Sequence, residues 1–485
     1  MQSTGPRVLK NTTVRLLNQF ILVVSSFVIA VSLARLWGAE SYGRYAFAIA
    51  FSELFTFSFD WGLHWLLTRE VARDKKNVAK YLDNALTLTF ALSLGAMGVL
   101  VLLINLLGYP TETVLAVYLG GIWTLLQVLA SLFISGTFYA FERMEYETPP
   151  LLAERLFAVV GGLAVIAARR GLVALMLVLV ISRVIRLIVC MAIYTRRIGP
   201  LGLAVDWKLW RVLAKSTFPF GLNLAFGLIY ARSSITLLSL LTGDEAEIGF
   251  FQAAFACAMY LPEVGISLTT SLFPMMSEQY LTRRESFILN YQRTVRWLAA
   301  LGLPMTLGLC LLADRIVILL YGEGFVPAVI SLRILSLSVL LKLIHGALAM
   351  VLTSSNRQGL RMSIMALGAL ASIVMNLVLI PWRGYVGASV AAVLTDSLIL
   401  VTSYLFVARQ LGGLPVLAAL GRPALSATLM GIYVTVFRSM ALFALIPTAA
   451  MIDLAVLYAL GGLPRDELAQ LKALLPERWV RWVTG

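Results

Sequence analysis

The sequence predicts an all-α integral membrane protein of about 14 transmembrane helices: two pseudo-symmetric six-helix bundles, two C-terminal helices, and both termini cytoplasmic. Three observations predict it. Of 485 residues, 60% are hydrophobic and only 13% charged, roughly half the charged share of a soluble domain. Apolar stretches of about 20 residues, long enough to cross the hydrocarbon core as a helix, fill almost the whole length and leave no long hydrophilic stretch for a soluble domain. Lysine and arginine are distributed asymmetrically between the breaks. With the N-terminus in the cytoplasm, 26 basic residues fall on that side, counting helix ends, against seven (Arg35, Arg44, Arg169, Arg170, Arg315, Arg383 and Arg438) on the other. That is the positive-inside bias.

The first span, 16–37, follows Arg15. It is too long for a signal-peptide core, and no small-residue cleavage site with a polar mature start follows it. The next five spans are 44–67, 82–107, 114–139, 151–168 and 172–194, which complete a first half over 1–205. A second half over 206–410 holds spans 212–241, 248–276, 294–313, 328–352, 362–381 and 385–407. Two more, 423–445 and 446–462, occupy 411–463, with Pro447 and nearby small residues marking the turn. In the tail, 464–485, Leu468, Leu471, Leu475, Trp479 and Trp482 recur at helical spacing among Arg465, Lys472, Arg478 and Arg481. This reads as an amphipathic helix lying on the cytoplasmic face.

The halves repeat weakly. Gly43-x-Tyr45-x-x-Ala48-x-Ala50 opens the second span, and Gly249-x-Phe251-x-x-Ala254-x-Ala256 opens the eighth. An even number of spans separates them, so orientation is kept and the repeat is parallel, about an axis along the membrane normal. The small residues have their own use in letting helices approach closely. Two six-helix halves facing a central cleft is a transporter plan. Pro219 with Gly221, Pro262 with Gly265, and Gly302 with Pro304 suggest bending elements in spans seven to nine.

A formal charge of +14 has two readings. Nucleic-acid binding needs basic clusters on solvated surface, whereas most bases here sit in short loops between apolar runs. Membrane topology explains them, and no nucleic-acid partner is expected. The three cysteines, Cys190, Cys257 and Cys310, lie far apart inside apolar segments and read as buried thiols. No disulfide framework, metal site or cofactor is indicated.

Ionisable residues inside spans are expensive and point to function. Glu53, Asp60 and His64 fall on one face of the second span, with Asp60 and His64 one turn apart. Such a stripe could take up and release a proton or sodium ion, and these three are the candidate ion-coupling residues. The alternative is an interfacial set capped by a neighbouring arginine. Arg155 in span five, Arg183 and Arg186 on one face of span six, Arg232 in span seven and Lys342 in span ten are the candidate substrate-binding residues. The arginine fork bonds two phosphate oxygens at once, so these bases would suit a pyrophosphate headgroup. The alternative is snorkelling, or pairing with Glu154, Glu263 or Asp396.

Absences narrow the chemistry. There is no GxxxxGK[ST] loop, no Asp-x-Asp pair and no GxSxG elbow, and the two histidines are far apart. Nothing supports an enzyme.

In its motifs the chain resembles the polysaccharide flippases of bacteria and archaea, within the superfamily that also holds multidrug extruders and the peptidoglycan-precursor flippase. The resemblance covers roughly 10–410. It rests on Ala34-Arg35-x-x-Gly38-x-Glu40-x-Tyr42-Gly43-x-Tyr45, Asp60-x-Gly62-Leu63 and Arg69-Glu70-Val71-Ala72-Arg73. In the second half it rests on Phe273-Pro274, Leu320-Tyr321-Gly322-x-x-Phe325, Asn376-Leu377-x-Leu379-Ile380-Pro381 and Gly384-Tyr385-x-Gly387-Ala388-Ser389-x-Ala391. It implies two six-helix bundles, alternating access, and a polyprenyl-pyrophosphate-linked oligosaccharide carried outward across the cell membrane. The implied partners are that lipid-linked oligosaccharide, membrane lipids, and the glycosyltransferases and glycan polymerase of the same pathway. Two other functions compete. A multidrug exporter on the same fold calls for an acidic or aromatic cavity, whereas bases outnumber acids within these spans. A membrane-embedded glycosyltransferase or glycan polymerase calls for a catalytic carboxylate or metal pair and a sizeable external loop.

Overall fold

The computed structural model describes residues 4–411 and 416–462, and no strand occurs among them. The tail expected to form an amphipathic helix, 464–485, lies outside the described residues.

Helix α1 (Thr4–Glu53) is two helices joined at Gly38. The short loop expected between the first two spans is reduced to this residue, whose φ of 82° lies where glycine meets no Cβ penalty. The second crossing is then interrupted inside the expected span. Helix α2 (Thr56–Asp60) and α3 (Leu63–Arg73) are separated by Trp61 and Gly62, both left-handed at φ 48° and 77°. A side chain at Gly62 would meet Phe220, so the bend is seated against a neighbouring helix as well as turned.

Then come α4 (Val78–Leu106), α5 (Thr111–Phe133), α6 (Thr148–Ala167) and α7 (Leu172–Arg197). Helix α5 runs on as a π-helical stretch, Ile134–Tyr139. Helix α8 (Trp207–Thr242) is capped by Asp206, whose carboxylate accepts the N–H groups of Lys208 and Leu209. This is the usual way an aspartate satisfies orphan donors at a helix start.

The expected eighth span is divided into α9 (Glu245–Met259) and α10 (Pro262–Thr282). Pro262 begins the second piece, where its missing N–H costs nothing. Of the three Pro/Gly pairs expected to mark bends, this is the one at a helix break. Helix α11 (Arg284–Leu311) continues through Gly302 and Pro304, and α8 stays helical past Gly221. The short α12 (Ala313–Tyr321) was not expected. Helix α13 (Ala328–Ser354) is followed by α14 (Gln358–Leu411), which bends at Gly384 as α1 does at Gly38. Helices α15 (Val416–Val436) and α16 (Leu442–Ala459) close the described chain. Their turn falls at 437–441 and Pro447 lies inside α16. The expected boundary at Pro447 is therefore displaced, because a proline early in a membrane helix is tolerated.

Ten runs among the described residues are long and apolar enough to cross a membrane. Two of them, Leu17–Arg73 and Gln358–Leu411, hold 57 and 54 residues, more than twice what one crossing needs. Each bends at a glycine. The protein is a multi-pass membrane protein.

The chain divides into two compact units. The first comprises Met1–Ala254, Val317–Ser331 and Met365–Thr395. Its core packs Leu63, Leu67, Leu82, Phe133, Phe138 and Tyr194 from α3, α4, α5 with its π extension, and α7. The second comprises Phe255–Ile316, Leu332–Ile364 and Asp396–Gly485. Within it Leu312, Met430, Val434, Leu442 and Leu445 join the end of α11 to α15 and α16.

Candidate functional site

Three of the five candidate substrate-binding bases come together in the first unit. Arg183 and Arg186, one turn apart on α7, face Glu154 and Arg155 on α6. The Glu154 carboxylate lies 3.0 Å from Arg183, 2.8 Å from Arg186 and 3.4 Å from Arg155. Glu154 is 1% exposed, Arg183 3% and Arg186 6%. The rest of the cage is supplied from α1, α5 and the loop before α6. Arg155 donates to the Ser26 hydroxyl at 3.1 Å. The Arg183 guanidinium stacks over the Trp123 ring at 4.4 Å, a cation–π contact that strengthens with desolvation. Glu147 approaches Arg186 at 3.9 Å. Three guanidiniums against two carboxylates leave one positive charge over. A buried charge is tolerable when paired and hydrogen-bonded, and Glu154 provides that. In this structure the three bases close upon a carboxylate. Pairing with Glu154 was the alternative legible in the sequence. Trp123, Ser26 and Glu147 carried no sequence signal.

Arg232 on α8 is placed elsewhere in the same unit, 2.5 Å from Glu53 at the end of α1. A candidate binding base and a candidate coupling acid are thus each other's partner. The other two candidate coupling residues form a second pair. Asp60 is 3% exposed, and its carboxylate lies 2.5 Å from Nδ1 of His64. It also accepts the His64 backbone N–H at 3.5 Å, so it caps the first turn of α3 beyond the Trp61–Gly62 bend. A carboxylate at a helix start is favoured by the dipole. The three residues expected on one continuous face are therefore divided by the interruption of the helix after Glu53.

The fifth candidate base, Lys342 on α13, belongs to the second unit. Its ammonium lies 3.0 Å from the Asp396 carboxylate on α14. One turn on, the His345 ring contacts the Ser403 hydroxyl at 3.3 Å. Asp396 is 5% exposed.

A further constellation in the first unit was hidden from the sequence except for its glycines. The two copies of the repeat meet each other. A Cβ on Gly43 would run into the backbone carbonyl of Glu245, and one on Gly249 into that of Ala39. Each glycine therefore touches the residue four positions before the other, as a pseudo-two-fold contact demands. Arg44 clasps the crossing, bonding Glu245 and, at 3.1 Å, Glu112. Glu40 completes the ring at 2.5 Å. Behind it Tyr42 stacks with Tyr321 and meets Phe325 edge-on. Glu247, in the first turn of α9, accepts the Tyr385 N–H at 3.0 Å. Burial holds its carboxyl above the usual carboxylate range, against the pull of that hydrogen bond. A cavity of ≈ 270 Å³ opens beside Arg44, lined by Trp37, Ser41, Glu112 and Arg169 among others.

The fold and the caged charges define a class, the all-helical multi-pass membrane proteins that hold ionisable groups inside. Solved structures agree on the fold. "Lipid II flippase MurJ, inward closed conformation" superposes with a TM-score of 0.76 at 13% identity, covering 93% of this chain and 99% of that one. An inward-facing multidrug resistance MATE family transporter matches at 0.67 and 13%, over 82% and 98%. A MOP superfamily transporter from Pyrococcus furiosus matches at 0.59 and 12%, over 84% and 95%. In sequence, the family described as "Polysaccharide biosynthesis protein" matches residues 8–279, and the chain belongs to that family. An "Uncharacterized membrane protein in cps region" of Klebsiella pneumoniae is 24% identical over 216 residues, 42% of this chain. The match spans 43% of that protein, so the chain covers well under two thirds of its relative.

Proposed function

We propose that the protein flips a polyprenyl-pyrophosphate-linked oligosaccharide from the cytoplasmic to the outer leaflet by alternating access. No bond is made or broken. A glycan headgroup is too polar to cross hydrocarbon unaided, and a protein that surrounds it with fixed bases removes that barrier while the polyprenyl tail stays in lipid. The observation that carries the reading is the cage at Glu154, which holds more positive than negative charge inside the first unit of a polysaccharide-biosynthesis family member. A pyrophosphate offers the arginines what Glu154 offers now, with more oxygens for their forks.

In this reading the chain crosses the membrane fourteen times with both termini cytoplasmic. Residues 1–205 and 206–410 are the two six-helix halves, and 411–463 adds two helices. Arg155, Arg183, Arg186, Arg232 and Lys342 handle the headgroup. Glu53, Asp60 and His64 couple transport to an ion gradient. The Gly43/Gly249 crossing and its Arg44 clasp seal one side and part when the headgroup leaves. Glycosyltransferases of the same pathway supply the substrate and a glycan polymerase consumes it. The protein itself is a transporter and not an enzyme.

The test is surface glycan in cells carrying Arg232→Ala or Lys342→Ala. Both variants are expected to reach the membrane in normal amount, to display at least tenfold less glycan, and to accumulate lipid-linked oligosaccharide inside. Normal display by both would overturn the assignment of a cationic path.

A further inference from the structure

Between α7 and α8 the chain runs as an irregular segment, 198–206, that is tied down by side-chain hydrogen bonds. Three side chains near the start of α4 hold it. Asp83 accepts the Gly202 N–H at 3.0 Å, Thr87 donates to the Ala204 carbonyl at 2.6 Å, and Asn84 accepts the Asp206 N–H at 2.8 Å. On its inner side Ile198, Leu201, Leu209, Trp210 and Leu213 pack into the core of the first unit. The outer side is unusual for a pinned segment. Leu203 is 86% exposed and Trp207 73%, and Val205 and Val212 are exposed too. Lys208, Arg211 and Lys215, spaced three and four apart, share the exposed face of α8 with Trp207 and Val212. A spacing of three and four keeps residues on one helix face. Among the described residues none of these three bases enters an ion pair, in contrast to the caged arginines of the same unit.

An exposed tryptophan and aliphatic side chains beside unpaired bases suit one environment, the boundary between headgroups and acyl chains. Tryptophan concentrates at that depth, and lysine and arginine there meet the negative potential of anionic lipids. We propose that the segment from Leu203 to Lys215 is a docking surface for anionic phospholipid at the membrane face on which α7 ends and α8 begins. Trp207, Leu203 and Val205 enter the acyl boundary, and Lys208, Arg211 and Lys215 hold lipid phosphates. Its occupant is bulk anionic phospholipid. An acidic protein would need an apolar patch beside its carboxylates as well, whereas the boundary of an anionic bilayer offers both together. The placement of this segment between the two halves of the chain makes the bound lipid a fixed reference for α8. The inference is independent of what the protein transports.

The experiment uses the full-length protein in nanodiscs made with phosphatidylcholine or phosphatidylglycerol brominated near the headgroup. Trp207 emission is read as the difference between wild type and Trp207→Phe. Brominated phosphatidylglycerol is expected to quench that emission at least twice as strongly as brominated phosphatidylcholine. In the triple variant Lys208→Gln/Arg211→Gln/Lys215→Gln, quenching should persist but lose its preference for phosphatidylglycerol. Equal quenching by the two lipids in wild type would overturn the anionic docking surface. Absence of quenching by either would place the segment in water and overturn the proposal entirely. Relief of quenching by substoichiometric polyprenyl pyrophosphate would assign the bases to that lipid instead, and would overturn bulk phospholipid as the occupant.

Discussion

The bases of this protein form two populations that the fold treats in opposite ways. Around Glu154, Arg155, Arg183 and Arg186 are withdrawn from solvent and share a carboxylate at 2.8–3.4 Å. On α8, Lys208, Arg211 and Lys215 stand exposed and unpaired among the described residues. The residue types are the same, and their physical situations are not. A buried guanidinium without a partner bears a desolvation cost of several kcal/mol, so every caged arginine has a carboxylate and, in the case of Arg183, an aromatic face. An exposed base at a membrane surface keeps its water and finds its partner in the lipid. Counting bases therefore says which parts of the chain meet the membrane, and pairing says which of them are built into the interior.

The sharpest break of this comparison is Glu154→Gln. It leaves the three guanidiniums of the cage facing Glu147 as its remaining carboxylate, 3.9 Å from Arg186, and is expected to lower stability by about 3–5 kcal/mol, read as thermal unfolding in detergent. Adding Arg183→Met should recover part of the loss. Lys208→Gln, on the exposed face, is expected to stay within about 0.5 kcal/mol of wild type. Equal shifts in the two would erase the distinction.

The glycine crossing comes next. Gly43→Val and Gly249→Val each push a side chain into the opposite backbone, at a cost of roughly 1–3 kcal/mol, and should cut glycan display severalfold. Gly95→Val, at a position with open space around the Cβ, serves as the control and is expected to change neither measurement.

A smaller and more selective effect is expected of Asp60→Asn. The variant should insert normally and lose the response of transport to an imposed proton or sodium gradient. Full gradient-dependent transport would remove Asp60 from the coupling set.

The smallest concerns Glu247. Its carboxyl is raised by burial, so the folded state holds the proton more tightly than the unfolded chain does. Between the ordinary carboxylate pKa and the raised one, the folded state binds more protons, and stability falls as pH rises through that window. Glu247→Gln should flatten this slope in unfolding curves taken across mildly acid pH, with little change of midpoint at neutral pH.

The candidate site was legible one residue at a time. Glu53, Asp60, His64 and the five bases announced themselves as ionisable groups in apolar runs, and Glu154 and Asp396 were visible as possible partners. Their combination was not legible. Helical spacing put Glu53, Asp60 and His64 on one face, but the helix is interrupted after Glu53, which pairs with Arg232 instead, while Asp60 and His64 stay together across the Trp61–Gly62 bend. Trp123 under Arg183 leaves no trace in composition, because an aromatic ring in an apolar span reads as ordinary packing. The repeat at Gly43 and Gly249 was visible, yet nothing in it said that the two copies touch.

By itself the sequence determined the solvent of this protein. Apolar runs longer than 20 residues have one stable environment, and there a backbone with no water to bond is helical. It also determined where bends could fall, since Gly38 and Gly384 adopt positive φ without penalty. Tertiary structure alone decided which charge neutralises which. An ion pair depends on a few ångströms between helices, and residues from α6 and α7, or from α13 and α14, reach that distance only once the helices pack. For the same reason the bases on α8 became recognisable as a surface only after Asp83, Asn84 and Thr87 had pinned the segment before them and left their face uncovered.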